Sequence, residues 1–266
     1  MDETVLLVGL FFVAAILYAS VGHAGASGYL AAMALVGVSA EVMRPTALLL
    51  NVLVASVATQ RFLSAGRFSW RTFWPFAVAS IPAAFVGGRI HLPAMVFKPL
   101  VGIVLLYAAA RLLITAAQVE REDVKPPSVG ISLIFGAAMG LLSGLVGVGG
   151  GIFLSPLLIF AGWATIRVTA GVSALFILVN SIAGLAGNLS SLQQLSPVVV
   201  IYAIAAGIGG TIGSQLGSRR LPSPTLRRIL GIVLIVAGLK MSMGLFLKLL
   251  DYIPVREGAE SPAADS

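Results

Sequence analysis

Two glycine-rich stretches hold the residue types that could bind a charged ligand. One reads Gly147-Val148-Gly149-Gly150-Gly151-Ile152-Phe153-Leu154-Ser155-Pro156-Leu157-Leu158, and the other Gly22-His23-Ala24-Gly25-Ala26-Ser27-Gly28. Each opens a short apolar run. Glycines ahead of a helix let the backbone bend and leave amide N–H groups free at the helix start. Such a start carries about half a positive charge and holds anions through those N–H groups. The plainer reading is that the glycines only let helices pack closely, as small residues do in membranes. Two copies, each opening a short run, favour a ligand site. The candidates are Gly22, His23, Gly25, Ser27 and Gly28 in the first stretch, and Gly147, Gly149, Gly150 and Gly151 in the second.

Few other polar groups accompany them. His23 could bind an anion when protonated or relay a proton, or sit neutral against backbone. Its counterpart in the second stretch is Val148, so the fold does not require it twice. Asn51, Ser173 and Asn180 join the candidates, and with Thr46 and Thr169 are polar residues inside apolar runs that bridge helices or touch a ligand. Arg44 and Arg167 are read as snorkelling to the interface, and Lys240 is an isolated cation in the last run. Of ten acidic residues only Glu41 lies outside the N-terminus, the central charged stretch and the tail, which argues against a carboxylate-based proton or sodium site. No Walker motif, metal-ligand spacing or cofactor motif is present.

The elements that must position these residues are hydrophobic. The 266 residues are 58% hydrophobic and 10% charged, with a mean hydropathy of +1.02 and no cysteine. Soluble domains carry about 25% charged residues, so a soluble globular domain is excluded, as is a disordered chain. The missing cysteines exclude disulfides, thiol catalysis and thiolate metal sites. The net charge of +7 is spread between apolar runs rather than clustered, which fits membrane loops and not nucleic-acid binding. The N-terminus lacks a basic signal-peptide region, so the first run is expected to be retained as a helix.

Apolar runs fall at 4–21, 25–38, 45–63, 72–90, 96–117, 129–146, 150–163, 168–187, 197–215 and 225–249. The second and seventh are too short to cross a bilayer core of about 30 Å unaided. The halves correspond. Arg44-Pro45-Thr46-Ala47 matches Arg167-Val168-Thr169-Ala170, and Leu92-Pro93 with Gly102-Ile103-Val104-Leu105 matches Leu221-Pro222 with Gly231-Ile232-Val233-Leu234. The repeat length is about 125 residues. Loop charges reverse between halves: Arg61, Arg67 and Arg71 follow the third run, whereas Arg219, Arg220, Arg227 and Arg228 follow the ninth. Basic loops stay cytoplasmic, which implies halves of opposite orientation with an odd number of crossings each. The expectation is an all-α polytopic membrane protein of two inverted repeats, each of about five segments with a short, glycine-initiated second one. Residues 1–118 form the first repeat, 119–128 a cytoplasmic linker, 129–250 the second repeat, and 251–266 a disordered tail. Both termini then lie outside and the linker inside. Inverted repeats with a site near midplane mark secondary transporters.

The pattern GxGGGxxxxPxL over residues 147–158 resembles the signature of the TauE/SafE sulfite exporter family, as does Ala170-Gly171-Val172-Ser173. The first-half Gly22-His23-Ala24-Gly25-Ala26-Ser27-Gly28-Tyr29-Leu30 is similar to a form found in some members. The resemblance covers residues 4–249 and implies a multi-pass permease of the bacterial inner membrane, its termini then periplasmic, for sulfite, organosulfonates or related sulfur anions. The first half lacks the triple glycine and a proline matching Pro156, which leaves the substrate subgroup open. The expected function is export of such an anion by a non-enzyme whose partners are the anion and the bilayer, with the oligomeric state open, a homodimer included. The alternatives are proton-coupled uptake of a related anion and, far behind, a rhomboid-like serine protease. The last rests on Gly25-Ala26-Ser27-Gly28, a four-residue GxSG match in a glycine-rich chain.

Overall fold

The computed structural model describes residues 3–115, 124–219, 232 and 234–242. Among these the regular elements are helices: α1 Glu3–Ala19, α2 Ala26–Val36, α3 Ala40–Ser64, α4 Trp70–Arg89, α5 Ala94–Thr115, α6 Val129–Val146, α7 Gly151–Phe160, α8 Ile166–Gly187 and α9 Val199–Arg219. A 3-10 turn, Leu189–Gln194, joins α8 to α9, and residues 234–242 are again helical. Five of the helices are long and apolar enough to cross a membrane. The expected tail at 251–266 and linker residues 119–123 lie outside the described residues.

The first nine apolar runs each hold one of these helices, and of the tenth only 232 and 234–242 lie among the described residues; the largest shift is at the third run. The third helix begins at Ala40 rather than at 45, because Pro45 sits inside it instead of opening it. Proline favours the first helical turn, so a boundary drawn from the proline misses the turn before it. The short second and seventh runs are short helices of 11 and 10 residues. At about 1.5 Å per residue each covers roughly half of a bilayer core.

Glycine spacing decides which helices lie closest. Gly136, Gly140 and Gly144 of α6 rest on the main chain of Phe76, Ser80 and Ala84 in α4, one turn per step, so the two helices run parallel. Gly209 and Gly213 of α9 rest in the same way on Phe12 and Ile16 of α1, and Gly217 on Ser20 just past its end. A side chain at any of the six would collide with a backbone carbonyl. Without a hydrophobic force between helices in lipid, this backbone approach supplies the van der Waals contact that associates them. Between these pairs lie α3 and α8. Leu48 neighbours Gly184, Asn51 neighbours Ser181, and Phe62 neighbours Gly171, so α3 and α8 run antiparallel. Phe11 ties α1 to both α2 and α9 through edge-on contacts with Tyr29 (5.2 Å) and Tyr202 (5.0 Å).

Candidate functional site

The two short helices begin at glycines that only a left-handed backbone can join to the preceding chain. Gly25 caps α2 with φ 105° and Gly150 caps α7 with φ 78°, a region costly for other residues. Each also has an aromatic ring where a Cβ would stand. On Gly25 the Cβ would lie 2.7 Å from Cζ of Tyr29, and on Gly150 2.7 Å from Cε1 of Phe176. The Tyr29 hydroxyl donates to the carbonyl of Ala24 at 2.7 Å and closes the first turn from behind. An α-helix leaves its first amides without an internal acceptor; at α7 the Phe153 N–H already donates to the Gly150 carbonyl at 3.1 Å, so this rule applies to the amides of Gly151 and Ile152.

His23 brings the two starts together. It lies in the turn before α2, and its Nε2 is 3.2 Å from the carbonyl of Gly151, the first residue of α7, and 3.1 Å from Ser155 Oγ one turn further on. Ser155 Oγ lies 2.7 Å from Ser173 Oγ of α8, which extends the chain of polar contacts into the bundle. The Nδ1 atom faces the Val21 carbonyl at 3.3 Å. Both ring nitrogens therefore point at carbonyl oxygens. A neutral imidazole protonated at Nδ1 donates to Val21 and accepts from the Ser155 hydroxyl at Nε2, whereas the imidazolium donates to both carbonyls.

A second cluster flanks the α7 start. A Cβ on Gly149 would lie 2.6 Å from Cγ2 of Ile177, 2.9 Å from Nδ2 of Asn51 and 3.0 Å from Oγ of Ser181. Asn51 donates to Ser181 Oγ at 3.3 Å across the α3–α8 contact, and both residues are fully buried. Its Oδ1 has no partner there. Either way, this amide bridges two helices and borders the glycine turn.

Of the candidates, His23, Gly149, Gly150, Gly151, Asn51 and Ser173 therefore gather around the start of α7. Gly22 packs on the main chain of Ala170 in α8, and Gly147 on that of Arg44 in α3. Gly28 faces α1, where a Cβ would stand 2.9 Å from Cβ of Ala14 and 3.0 Å from Cε2 of Tyr18. Ser27 is buried, and the Nδ2 of Asn180 donates to Phe176 one turn back in its own helix at 2.8 Å. Ser155 and Ser181 are the additions. Ser155 is the one polar side chain in α7, four residues after Gly151 and so on its face, which is a signal the sequence offered.

The arginine expectation needs correcting. Arg44 does not snorkel: it is buried, donating from Nη1 to the Ile90 carbonyl at 2.8 Å and from Nη2 to the carbonyl of Gly88. Those carbonyls close α4, and a cation at a helix C-terminus meets both unpaired acceptors and the negative end of the dipole. Arg167 is exposed.

The arrangement suits a small anion held by backbone amides, hydroxyls and one imidazole inside a helical membrane bundle. The chain belongs to the sulfite exporter TauE/SafE family, whose model matches residues 7–241. It is a membrane transporter of that family. It is 42% identical over 242 residues to a protein of Sinorhizobium fredii described as a probable membrane transporter, a match that covers 90% of this chain and 98% of that one. No solved structure matches.

Proposed function

We propose that this transporter exports a small sulfur-containing anion, such as sulfite or an organosulfonate, which binds between the glycine-capped starts of α2 and α7. The contact of His23 with Gly151 and Ser155 carries the reading, since it joins the turn before one short helix to the first turn of the other. The proposed site residues are Gly22, His23, Gly25, Ser27, Gly28, Asn51, Gly147, Gly149, Gly150, Gly151, Ser173 and Asn180, with Ser155 added. Two inverted repeats are supported by the packing: α3 and α8 are corresponding helices and run antiparallel, while α1 pairs with α9 and α4 with α6 across the halves. The left-handed glycines also recur in register, Gly22 with Gly147, Gly25 with Gly150 and Gly37 with Gly162.

Export follows from charge. An inside-negative potential contributes about 2.3 kcal/mol per 100 mV for each charge that crosses, and drives anions outward. In proteoliposomes of known orientation, with the potential clamped by potassium and valinomycin, an inside-negative potential should accelerate sulfite efflux; retardation contradicts export. His23 favours a second reading, proton-coupled uptake, because its ring bridges the two short-helix starts and an imidazole can carry a proton. An imposed proton gradient that drives accumulation in the parent, but not in His23→Ala, would establish it. For orientation, reporter fusions should place residues 119–128 in the cytoplasm and both termini in the periplasm; a cytoplasmic C-terminus contradicts the inverted repeats.

A further inference from the structure

The match between the halves extends beyond the segments that first reveal it. Continuing from Gly102-Ile103-Val104-Leu105 and Gly231-Ile232-Val233-Leu234 without a gap, Arg111 falls opposite Lys240. In the glycine-rich alignment, Gly22 with Gly147, Leu35 falls opposite Phe160. These are the ends of the short helices: Leu35 is in the last turn of α2 and Phe160 closes α7.

The four residues meet in crossed fashion. The Lys240 Nζ, from the second half, donates to the Leu35 carbonyl in the first half at 2.6 Å. The Arg111 guanidinium, from the first half, lies over the Phe160 ring in the second, 3.8 Å from its centroid. One turn earlier in α5, Tyr107 stacks on Phe153 of α7 at 5.5 Å, so α5 runs along α7 and delivers Arg111 to its end. At α2 the Met33 carbonyl accepts from the N–H groups of Gly37 and Val38, and the Leu35 carbonyl in the same last turn accepts from Lys240. Both cations sit at the negative ends of short helices, where positive charge is favourable, and Arg111 adds the attraction of a cation for an aromatic face.

We propose that Arg111 and Lys240 are paired positioning residues, each holding the C-terminal end of the other half's short helix and thereby setting where that helix presents its N-terminal end. The link to transport rests on the anion site proposed above; the crossed clamp does not. A helix of 10 or 11 residues is too short to be held by the bilayer at both ends, so a partner at its far end fixes its depth and tilt.

The chain has no cysteine, so one introduced thiol reports one position. Ser27→Cys and Ile152→Cys place it at corresponding, buried sites in the first turns of α2 and α7. Lys240→Gln should speed maleimide labelling at residue 27 on the order of tenfold, the ratio that loss of one charge-assisted hydrogen bond implies, and leave residue 152 unchanged. Arg111→Gln should do the reverse, and Lys240→Arg should restore the parent rate at residue 27. Equal effects on both reporters, effects confined to a cation's own half, or no change would overturn the proposal. If Gln variants fail to insert, the comparison is made with Lys240→Met and Arg111→Met, judged in the same way. A crossed labelling pattern in a protein that moves no anion would uphold the clamp and refute the transport reading, so the two fail separately.

Discussion

Gly150→Val is expected to abolish anion flux in a protein that still inserts and runs as a single species in detergent. Gly150 has φ 78°, and a left-handed backbone costs a residue with a Cβ about 1–2 kcal/mol. The new Cβ would also stand 2.7 Å from Cε1 of Phe176. The ring is the far end of a side chain and can give, but the turn can give only by rotating the amides that open α7. A hydrogen bond to a charged group is worth about 1.5–3 kcal/mol, so the loss of one weakens anion binding about tenfold or more. Flux measured against protein amount, with a size-exclusion profile for each variant, separates this from misfolding. Normal flux through a well-expressed Gly150→Val protein contradicts the site.

Gly140→Leu should have a larger effect of a different kind, with no monodisperse protein recovered. A Cβ on Gly140 would lie 2.6 Å from Cα and 2.7 Å from the carbonyl carbon of Ser80, with the carbonyl oxygen closer still. These are backbone atoms of α4 and cannot rotate away. The helices would have to separate along an interface that Gly136, Gly140 and Gly144 share, and overpacking against a movable side chain already costs about 1–3 kcal/mol. Gly130→Leu in the same helix is the control, because its Cβ would meet nothing within 4 Å. Recovery of well-behaved Gly140→Leu protein would show that α4 and α6 do not need this approach.

Much of this was legible in the sequence because membrane physics writes it there. Run lengths set helix lengths, so α2 and α7 stood out as short, and the glycines at 25 and 150 marked their starts. The repeat marked corresponding residues before any contact was known. What stayed hidden was partnership across the chain. Asn51 gives no sign that its partner is Ser181, and an arginine early in a helix looks like any snorkelling cation until α4 ends beside it. Lys240 reads in the sequence as an isolated cation because its acceptor is a backbone carbonyl 205 residues away. Close packing and ligand binding also call for the same residue: Gly28 and Gly150 read alike in sequence, yet one meets α1 and the other opens α7.

The central claim is that the glycine-capped starts bind a sulfur-containing anion for transport. It is tested most directly by flux of sulfite, sulfoacetate, thiosulfate, sulfate and acetate through the purified full chain in proteoliposomes. Saturable flux of at least one sulfur anion, above that of acetate and of protein-free liposomes and lost in Gly150→Val, is the expected result. Flux that fails to exceed protein-free liposomes for every anion, or that Gly150→Val leaves intact, would contradict it.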